Sequence, residues 1–264
     1  MFLSHFKMTR QPFPERIPTE HILRDERLAE GLARLSYLAE AGSIGLVTGQ
    51  TGVGKSSLLR LFVQSLRPNR FHPVYLSLTH VPTSGSLLRL IVSSLGETPH
   101  RGKERLFLTI LERIEKLEHT TLLLIDEAHL IPAEALTDLR LLVSSGLDDG
   151  PRLKIVLSGQ EALRRELHQA SRADLAHRLS VRYHVPAFSG EQTAAYIDFQ
   201  MKTAGASQKV FEDEAKSLLH DYASGVARQI NSFATACLLA AAARNLQKIS
   251  DTLVNETMSE FRLP

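Results

Sequence analysis

The amino-acid sequence predicts an α/β fold: a five-stranded parallel sheet flanked by helices, followed by a small helical domain. Short apolar runs of β type alternate with helical patterns, which is typical of a parallel sheet whose crossovers are helices. The first run also leads directly into a glycine-rich stretch and then a helix. The five runs are Ile44 to Thr48, Val74 to Leu78, Leu122 to Ile125, Lys154 to Ser158 and Val181 to Val185.

The glycine-rich stretch fits the P-loop pattern G-x-x-x-x-G-K-[ST] at Gly49, Gly54, Lys55 and Ser56. Glycines let backbone N–H groups turn toward phosphates, and the following helix adds the positive end of its dipole. We expect Lys55 to neutralise the β- and γ-phosphates and Ser56 to place its hydroxyl on Mg²⁺. The alternative is a chance match in a glycine turn. A chance match would not be expected to follow a strand and precede a helix, as this stretch does. The predicted nucleotide-binding residues of this loop are Gly49, Gln50, Thr51, Gly52, Val53, Gly54, Lys55, Ser56 and Ser57.

The third run ends in two acids, Asp126 and Glu127, and resembles a Walker B strand. A buried parallel strand is apolar on both faces, so its carboxyl end is where carboxylates emerge beside the phosphates. Asp126 is the candidate to hold Mg²⁺ through water, and Glu127 is the candidate to polarise the attacking water. The alternative for both acids is the ordinary preference of carboxylates for a helix start. We interpret His129 as a local packing or capping residue.

Length and composition bound the remaining possibilities. With 264 residues and 43% hydrophobic content, the chain can hold one large α/β domain and a small one. The net charge of +2 neither demands nor excludes a polyanionic partner. Cys237 lies in a run rich in alanine and leucine, which predicts a buried thiol. That run is too short to span a bilayer and the amino terminus lacks a signal-peptide pattern, so we expect no membrane contact and a cytoplasmic location.

A change of pattern near residue 187 predicts a domain boundary. Pro186 follows the fifth run, and Ser189 and Gln192 then have the spacing of a capping box. We expect a nucleotide-binding domain over 1–187 and a helical lid over 188–264. The helices predicted in the lid cover 191–204, 212–223, 227–245 and 251–261.

Together these residues resemble those of the AAA+ ATPases over nearly the whole chain, from Phe2 to the final helix. The resemblance implies a P-loop NTPase that hydrolyses ATP to ADP and phosphate with Mg²⁺. In IVLSGQ, Gln160 stands where the family carries its sensor-1 residue, with Ser158 as the alternative. In SGVARQIN, Arg228 matches the sensor-2 arginine, which the family sets against the phosphates.

The resemblance also implies an arginine finger, which reaches into the nucleotide of a neighbouring subunit. Arg178, in LAHRLSVRYHV, stands at that position, with Arg172 and Arg182 as alternatives. Any of these arginines could instead be solvated or weakly paired, as surface arginines usually are. Contacts of this head-to-tail kind generate a ring or a helical filament, so we expect a homo-oligomer. The predicted catalytic residues are Glu127, Lys55, Gln160, Arg178 and Arg228.

Within this family, SIGLVTGQTGVGKSS, IDEAHL and IVLSGQ are similar to the ExeA-type branch. Some of its members are secretion-pathway ATPases with a membrane span, and others are soluble companions of DDE transposases, similar in role to TnsC, TniB and IstB. The expectation of no span favours the second kind. In that family the segment around Phe6 and residues 12–14 packs near the adenine, so Phe13 is expected to line the base pocket, with plain core packing as the alternative.

The function implied is that of an ATP-dependent, DNA-binding regulator of transposition. It would oligomerise on double-stranded DNA with ATP and recruit or license a DDE-type transposase, and hydrolysis would promote disassembly. The basic candidates for DNA contact are Arg101, Lys103 and Arg105, for which a solvated turn is the alternative. Two other functions stay open: a secretion or envelope-assembly ATPase that acts on protein partners, and a nucleotide-gated scaffold with negligible turnover.

Overall fold

The computed structural model describes residues 2–145, 152–167 and 173–261, and these form two compact units. The α/β unit takes in Arg27–Gly49 and the described part of Lys55–Val185. The helical unit takes in Gln50–Gly54 and the described parts of Met1–Glu26 and Pro186–Pro264. By packing, the amino-terminal segment and five loop residues thus belong with the last helices. The division into domains at residue 187 stays a prediction.

A parallel sheet forms the centre of the α/β unit. Its strands are β1 (Ile44–Thr48), β2 (Phe71–Ser77), β3 (Thr120–Asp126), β4 (Leu153–Gly159) and β5 (Leu179–His184). The order across the sheet is β2-β3-β4-β1-β5, which confirms the predicted five-stranded parallel sheet. β1 and β3 lie inside the sheet and are buried along almost their whole length, whereas the edge strands β2 and β5 alternate between buried and exposed residues.

Helices connect the strands and make up the helical unit. Along the described chain they are α1 (Phe2–His5), α2 (Glu26–Ala41), α3 (Lys55–Ser65), α4 (Ser84–Ser94), α5 (Lys103–Lys116), α6 (Ala133–Ser144), α7 (Glu161–Leu167), α8 (Ala173–His177), α9 (Gly190–Thr203), α10 (Asp213–Ala223), α11 (Ala227–Ala243) and α12 (Asp251–Phe261). Two short 3₁₀ turns cover Thr19–His21 and Ala128–Leu130. The predicted capping box is present at the start of α9, where Ser189 and Gln192 exchange hydrogen bonds between side chain and backbone.

The strand register brings three strand ends to one edge of the sheet. Thr48 of β1 pairs with Gly159 of β4, and Ile125 of β3 pairs with Leu157 of β4. Because parallel strands end on the same side, the residues that follow these pairs lie side by side. This edge therefore gathers the end of β1, the acids after β3 and the polar end of β4.

An aromatic cluster anchors the amino-terminal segment in the helical unit. The Phe13 and Phe211 rings pack edge to face with 6.4 Å between their centroids, and Phe188 stacks on Tyr196 at 5.0 Å.

Cys237 is fully buried on α11, and burial raises the pKa of its thiol to about 11, so the thiol stays protonated. In the part of the chain that the structure describes, no helix is long and apolar enough to cross a membrane.

Candidate nucleotide and magnesium site

The P-loop joins β1 to α3. Gly52 and Gly54 adopt φ values of 89° and 113°, a left-handed region in which a side chain would be strained. In the α/β unit, the loop's lysine begins α3, and the Lys55 ammonium donates a hydrogen bond to the Gly49 carbonyl at 2.9 Å. That carbonyl, which directly follows β1, thus fixes the position of the buried Lys55 ammonium.

Asp126, the last residue of β3, is the most heavily hydrogen-bonded carboxylate of the α/β unit's sheet edge. Its Oδ2 accepts from the Ser56 hydroxyl at 2.7 Å and from the Tyr75 hydroxyl at 2.9 Å. Its Oδ1 accepts from the Ser158 hydroxyl at 2.8 Å and from the Glu127 backbone N–H at 3.0 Å. Only 3% of Asp126 is exposed. A buried carboxylate is thereby held in one orientation by neutral donors.

Tyr75 is the member of this site that the sequence analysis missed. It lies on the edge strand β2, where it pairs with Leu124 of β3. Burial, followed by the negative charge of Asp126, raises the pKa of the Tyr75 hydroxyl above its ordinary value, so the hydroxyl remains a donor. The only sequence signal was a tyrosine near the carboxyl end of the strand beside β3, a position that gains meaning once the strand order is known.

Glu127 follows directly and has an uncommon backbone. Its φ of 57° and ψ of 34° lie in the left-handed region, which carries strain for a residue other than glycine. The Glu127 Oε2 is 3.3 Å from Nδ1 of His129, and its side chain is partly exposed. His129 thus lies beside the candidate catalytic acid, and its interpretation as a packing or capping residue stays a prediction.

The end of β4 separates the two sensor-1 candidates. Ser158 is fully buried and its hydroxyl contacts Asp126. Gln160 stands after the strand, is partly exposed, and its carbonyl accepts from the Leu163 N–H as α7 begins. The structure thus places the alternative, Ser158, against the acid, while the assignment of sensor 1 to Gln160 stays a prediction.

The arginine-finger candidates stand around β5. Arg178 is exposed in the turn between α8 and β5. The Arg182 guanidinium donates to the Ala176 carbonyl at 2.7 Å and is thus used to hold the end of α8. Arg172 lies outside the described residues. Of the two described candidates, Arg178 is therefore more accessible to a second molecule than Arg182.

In the helical unit, Arg228 lies against Gly52. The Arg228 backbone N–H donates to the Gly52 carbonyl at 3.1 Å, and a methyl group on Gly52 would come within 2.7 Å of the Arg228 Cβ. This contact gives a reason for a glycine at a variable position of the P-loop pattern. The other residue predicted near the base, Phe13, is 4% exposed and its ring packs on Phe211 in the core of the same unit.

The basic residues proposed for DNA contact differ from one another. The Lys103 ammonium donates to Glu134 at 2.7 Å and lies 2.9 Å from Asp138, both on α6. Hydrogen bonding, first to Glu134 and then to Asp138, raises the pKa of Lys103. Arg101 is exposed just before the start of α5, and Arg105 is exposed in the first turn of that helix. A charge already paired with two carboxylates has little left to offer a phosphate, so the candidates reduce to the two arginines.

The donor set of this edge fits Mg²⁺. Magnesium prefers oxygen ligands, keeps several waters, and is commonly bound through one or two carboxylates together with substrate phosphates. Ser56 and Asp126 supply a hydroxyl and a buried carboxylate 2.7 Å apart, and neutral groups make the hydrogen bonds to that carboxylate. Among the described residues no group of three or more His, Cys, Asp or Glu side chains could hold a metal ion.

Comparisons with known proteins agree with this geometry. A family model described as AAA domain matches residues 39–167. General secretion pathway protein A of Aeromonas hydrophila is 32% identical over 257 residues, which cover 94% of this chain and 46% of that protein. The chain therefore spans about half the length of this relative.

Solved structures of similar fold include ORC proteins and a Holliday-junction branch-migration motor. The ORC2 protein of Aeropyrum pernix, in ADPNP–ADP complexes, matches with a TM-score of 0.72 at 21% identity, covering 95% of this chain and 71% of that one. Drosophila ORC bound to DNA matches at 0.71 and 18%, covering 100% and 66%. The RuvB branch-migration motor of Thermotoga maritima matches at 0.63 and 15%, covering 97% and 74%. At these identities the likeness establishes the fold.

Proposed function

From the match of residues 39–167 to the AAA domain family and the 32% identity to general secretion pathway protein A, we propose that this chain is an AAA+ ATPase. ATP and Mg²⁺, bound at its P-loop, switch it between single subunits and an assembly. The main support for this proposal is the hydrogen bond of 2.7 Å between Ser56 and Asp126, next to Lys55 at the start of α3. This arrangement offers a cation, a hydroxyl and a buried carboxylate to a triphosphate and its metal.

We propose a role for each residue of the α/β unit. Lys55 compensates the negative charge of the β- and γ-phosphates. Ser56 and Asp126 would hold Mg²⁺, which when bound neutralises charge that develops on the phosphate oxygens. Glu127, one residue beyond Asp126, accepts a proton from the attacking water and orients it. His129, 3.3 Å from the Glu127 carboxylate, holds that side chain in place.

Two substitutions test the site. We expect Glu127→Gln to keep ATP affinity, to lower turnover by roughly 10²- to 10⁴-fold because the base is lost, and to accumulate assemblies. We expect Lys55→Ala to lose ATP binding, measured with a fluorescent ATP analogue. Glu134→Gln is the matched control, because it removes a carboxylate of the same unit that pairs with Lys103. Parent-like hydrolysis in both test variants would contradict the assigned site.

The neighbouring subunit is proposed to supply Arg178. An arginine finger in trans raises turnover by roughly 10³- to 10⁵-fold, so single subunits should hydrolyse ATP poorly. We expect Arg178→Ala alone and Lys55→Ala alone to be inactive, and their mixture to regain turnover, since a Lys55→Ala neighbour still presents Arg178. An inactive mixture of proteins that co-assemble would refute the finger. Arg228 is proposed as the sensor-2 residue on the same nucleotide.

For the partner of the assembly, we propose double-stranded DNA and a DDE-type transposase, with the protein acting as a regulator of transposition. The exposed Arg101 and Arg105 support this proposal, because two exposed guanidinium groups near a helix start suit phosphate contacts. Assembly on DNA would recruit or license the transposase, and hydrolysis would dismantle the assembly. A cytoplasmic location follows in the proposal, since ATP, DNA and transposase must meet in one compartment.

A salt titration of duplex binding with ATP and with ADP tests the DNA proposal. If contacts are mainly to phosphates, binding should weaken steeply with salt and show little sequence preference. We expect Arg101→Ala and Arg105→Ala each to reduce the steepness of that salt dependence by about one phosphate contact. Lys103→Ala is the contrast, because its ammonium is already paired with α6. Salt-insensitive or absent binding in the ATP state would overturn the proposal.

The second candidate function is a secretion or envelope-assembly ATPase that works on protein partners. Its support is the relationship to general secretion pathway protein A over most of this chain. The two functions share the nucleotide switch and differ in what the assembly binds. ATP-dependent self-association that is intact while duplex DNA has no effect on assembly or turnover would favour this second function.

A further inference from the structure

The hydrogen bonds to Asp126 use every acceptor position that a carboxylate has. An ionised carboxylate offers about four lone-pair sites, two on each oxygen. Ser56 and Tyr75 take those of Oδ2, at 2.7 and 2.9 Å. Ser158 and the Glu127 N–H take those of Oδ1, at 2.8 and 3.0 Å. A metal-bound water can therefore hydrogen-bond to Asp126 only if one of the four donors gives way.

Three of these donors are poorly suited to leave. Ser158 is fully buried on β4, and the Glu127 N–H is fixed to the next residue of the chain. The Ser56 hydroxyl has lone pairs of its own, so it can keep its proton on Asp126 while its oxygen faces a cation. Ser56 is thus compatible with the metal without giving up its hydrogen bond.

Tyr75 differs from the other three. It lies on the edge strand β2 and is 43% exposed. Its hydroxyl is carried on a side chain that can turn toward solvent without any change in the backbone hydrogen bonds to β3. The phenol can then find water as a partner, so its departure leaves no buried polar group unsatisfied.

We propose that Tyr75 is a positioning residue whose hydroxyl holds, on Asp126 Oδ2, the acceptor position that a metal-bound water needs, and that it withdraws when Mg²⁺ enters. This inference rests on the proposed function, since it takes Ser56 and Asp126 as the magnesium site. Tyr75 then sets the Mg²⁺ concentration at which the site fills and leaves the affinity for nucleotide without metal unchanged.

Tyr75→Phe tests this, because the substitution keeps the ring and removes only the hydroxyl. The matched control is Tyr222→Phe, which deletes a hydroxyl that donates to the Asn255 side chain at the same 2.9 Å distance in the helical unit. Asp126→Asn serves as the variant that damages the proposed metal site itself. Thermal unfolding of the variants verifies that the fold is retained.

The measurement is metal binding rather than turnover alone. Binding of a fluorescent ADP analogue is measured first in EDTA and then against Mg²⁺ concentration, and Mn²⁺ binding in the presence of ADP is followed by electron paramagnetic resonance. In Tyr75→Phe no phenol hydroxyl competes with the metal-bound water for Asp126 Oδ2. Because the lost hydrogen bond is one to a charged group, we expect this variant to lower the half-saturating Mg²⁺ and Mn²⁺ concentrations by roughly tenfold. The affinity in EDTA should match that of the parent and of Tyr222→Phe.

The outcomes separate this inference from the proposed function. If the parent binds nucleotide with a metal dependence that Asp126→Asn abolishes, while Tyr75→Phe has an equal or greater metal requirement, the inference about Tyr75 is wrong and the site stands. A greater requirement would mean that Tyr75 supports the metal through Asp126. If the parent shows no metal-dependent nucleotide binding, both the proposed function and this inference fail.

Discussion

Asp126 of the α/β unit and Lys216 of the helical unit are both buried, and their surroundings differ. In the α/β unit, Asp126 is 3% exposed and accepts hydrogen bonds from three hydroxyls and a backbone N–H, all of them neutral. In the helical unit, Lys216 is 2% exposed and its ammonium lies 2.6 Å from Asp198 and 3.3 Å from Asp213. Neutral hydrogen-bond donors thus orient the carboxylate of Asp126, whereas two carboxylates neutralise the charge of Lys216.

If Asp126 holds Mg²⁺ as proposed, this difference separates a functional charge from a structural one. Burying an ion costs free energy that an opposite charge offsets best. Lys216 has that compensation within its own unit, and so its burial serves the packing of α9 against α10. Asp126 is fixed in direction by neutral groups, and a cation that arrives there gains the full attraction of a preoriented carboxylate. Substitutions in the two places should therefore change different quantities.

The largest effect is expected from Asp126→Asn. The asparagine amide has nearly the size of the carboxylate but carries no charge. Its NH₂ group replaces one carboxylate oxygen and therefore faces two of the four groups that donate hydrogen bonds to Asp126. We expect ATP turnover to fall by a factor on the order of 10²–10³, because the metal and the charge it compensates are no longer held. Steady-state phosphate release, with Mg²⁺ varied to saturation, measures the loss.

Asp138→Asn is the matched control for that prediction. Asp138 is also a buried carboxylate of the α/β unit, but it accepts from Ser84 and pairs with Lys103 at 2.9 Å. Its loss should lower the free energy of unfolding and leave turnover per folded molecule near that of the parent. If Asp138→Asn reduced turnover as much as Asp126→Asn, the contrast between oriented and neutralised charges would be lost.

The next effect is on stability and comes from Gly225→Ala in the helical unit. Gly225 has a φ of 69°, and a Cβ there would lie 2.1 Å from the Phe188 carbonyl oxygen. Because the obstacle is backbone, no side-chain rotation relieves it, and we expect a loss of about 3 kcal/mol or more in the free energy of unfolding. Denaturant titration measures this.

Gly96→Ala isolates the contribution of backbone strain. Gly96 has a φ of 81°, yet a Cβ there would meet no atom within 4 Å. We expect this variant to lose about 1 kcal/mol, from the unfavourable φ alone. A Gly225→Ala protein as stable as Gly96→Ala would show that the backbone contact between Gly225 and Phe188 can adjust.

The sequence allowed prediction of those features that depend on neighbours along the chain. The five strands follow from apolar runs, the capping box from the spacing of Ser189 and Gln192, and the P-loop and acids from motifs whose residues are close in sequence. The contact between Tyr75 and Asp126 joins residues 51 positions apart. It depends on which strand lies beside β3, which neither periodicity nor spacing reveals.

Other features escaped prediction for the same reason. For Phe13 the sequence left the base pocket and core packing open, and its contact with Phe211 joins distant parts of the chain. Lys103 looked like one of three equivalent basic residues until α6 brought Glu134 and Asp138 to it. Pairing of charges across helices is set by tertiary packing, so composition and local patterns could name the charged residues but could not show which were already engaged.

A smaller loss of stability is expected from Lys216→Met. Methionine keeps the length and apolar stem of the lysine, and the two carboxylates left behind are 56% and 72% exposed, so water can solvate them. We expect a loss of about 1–2 kcal/mol, below the cost of leaving a buried charge unpaired, with turnover unchanged. Lys209→Met, which removes an exposed partner of Asp213, should change stability by less than about 0.5 kcal/mol. Reduced turnover in Lys216→Met at full folding would contradict a structural role.

The smallest effect concerns how the Lys216 charge is shared, and Asp213→Asn tests it through pH. Hydrogen bonds from Lys209 and then from Lys216 lower the pKa of Asp213 below its ordinary value of 3.8. A lowered pKa stabilises the folded protein above the unfolded value, and that contribution is lost as pH falls through the folded value. The parent should therefore have a slightly higher urea midpoint than Asp213→Asn at pH 7, and the difference should shrink below about pH 3.8. A difference that persists or grows in acid would mean that it does not arise from the charge of Asp213. Equal midpoints at pH 7 would mean that Asp198 alone, at 2.6 Å, neutralises Lys216.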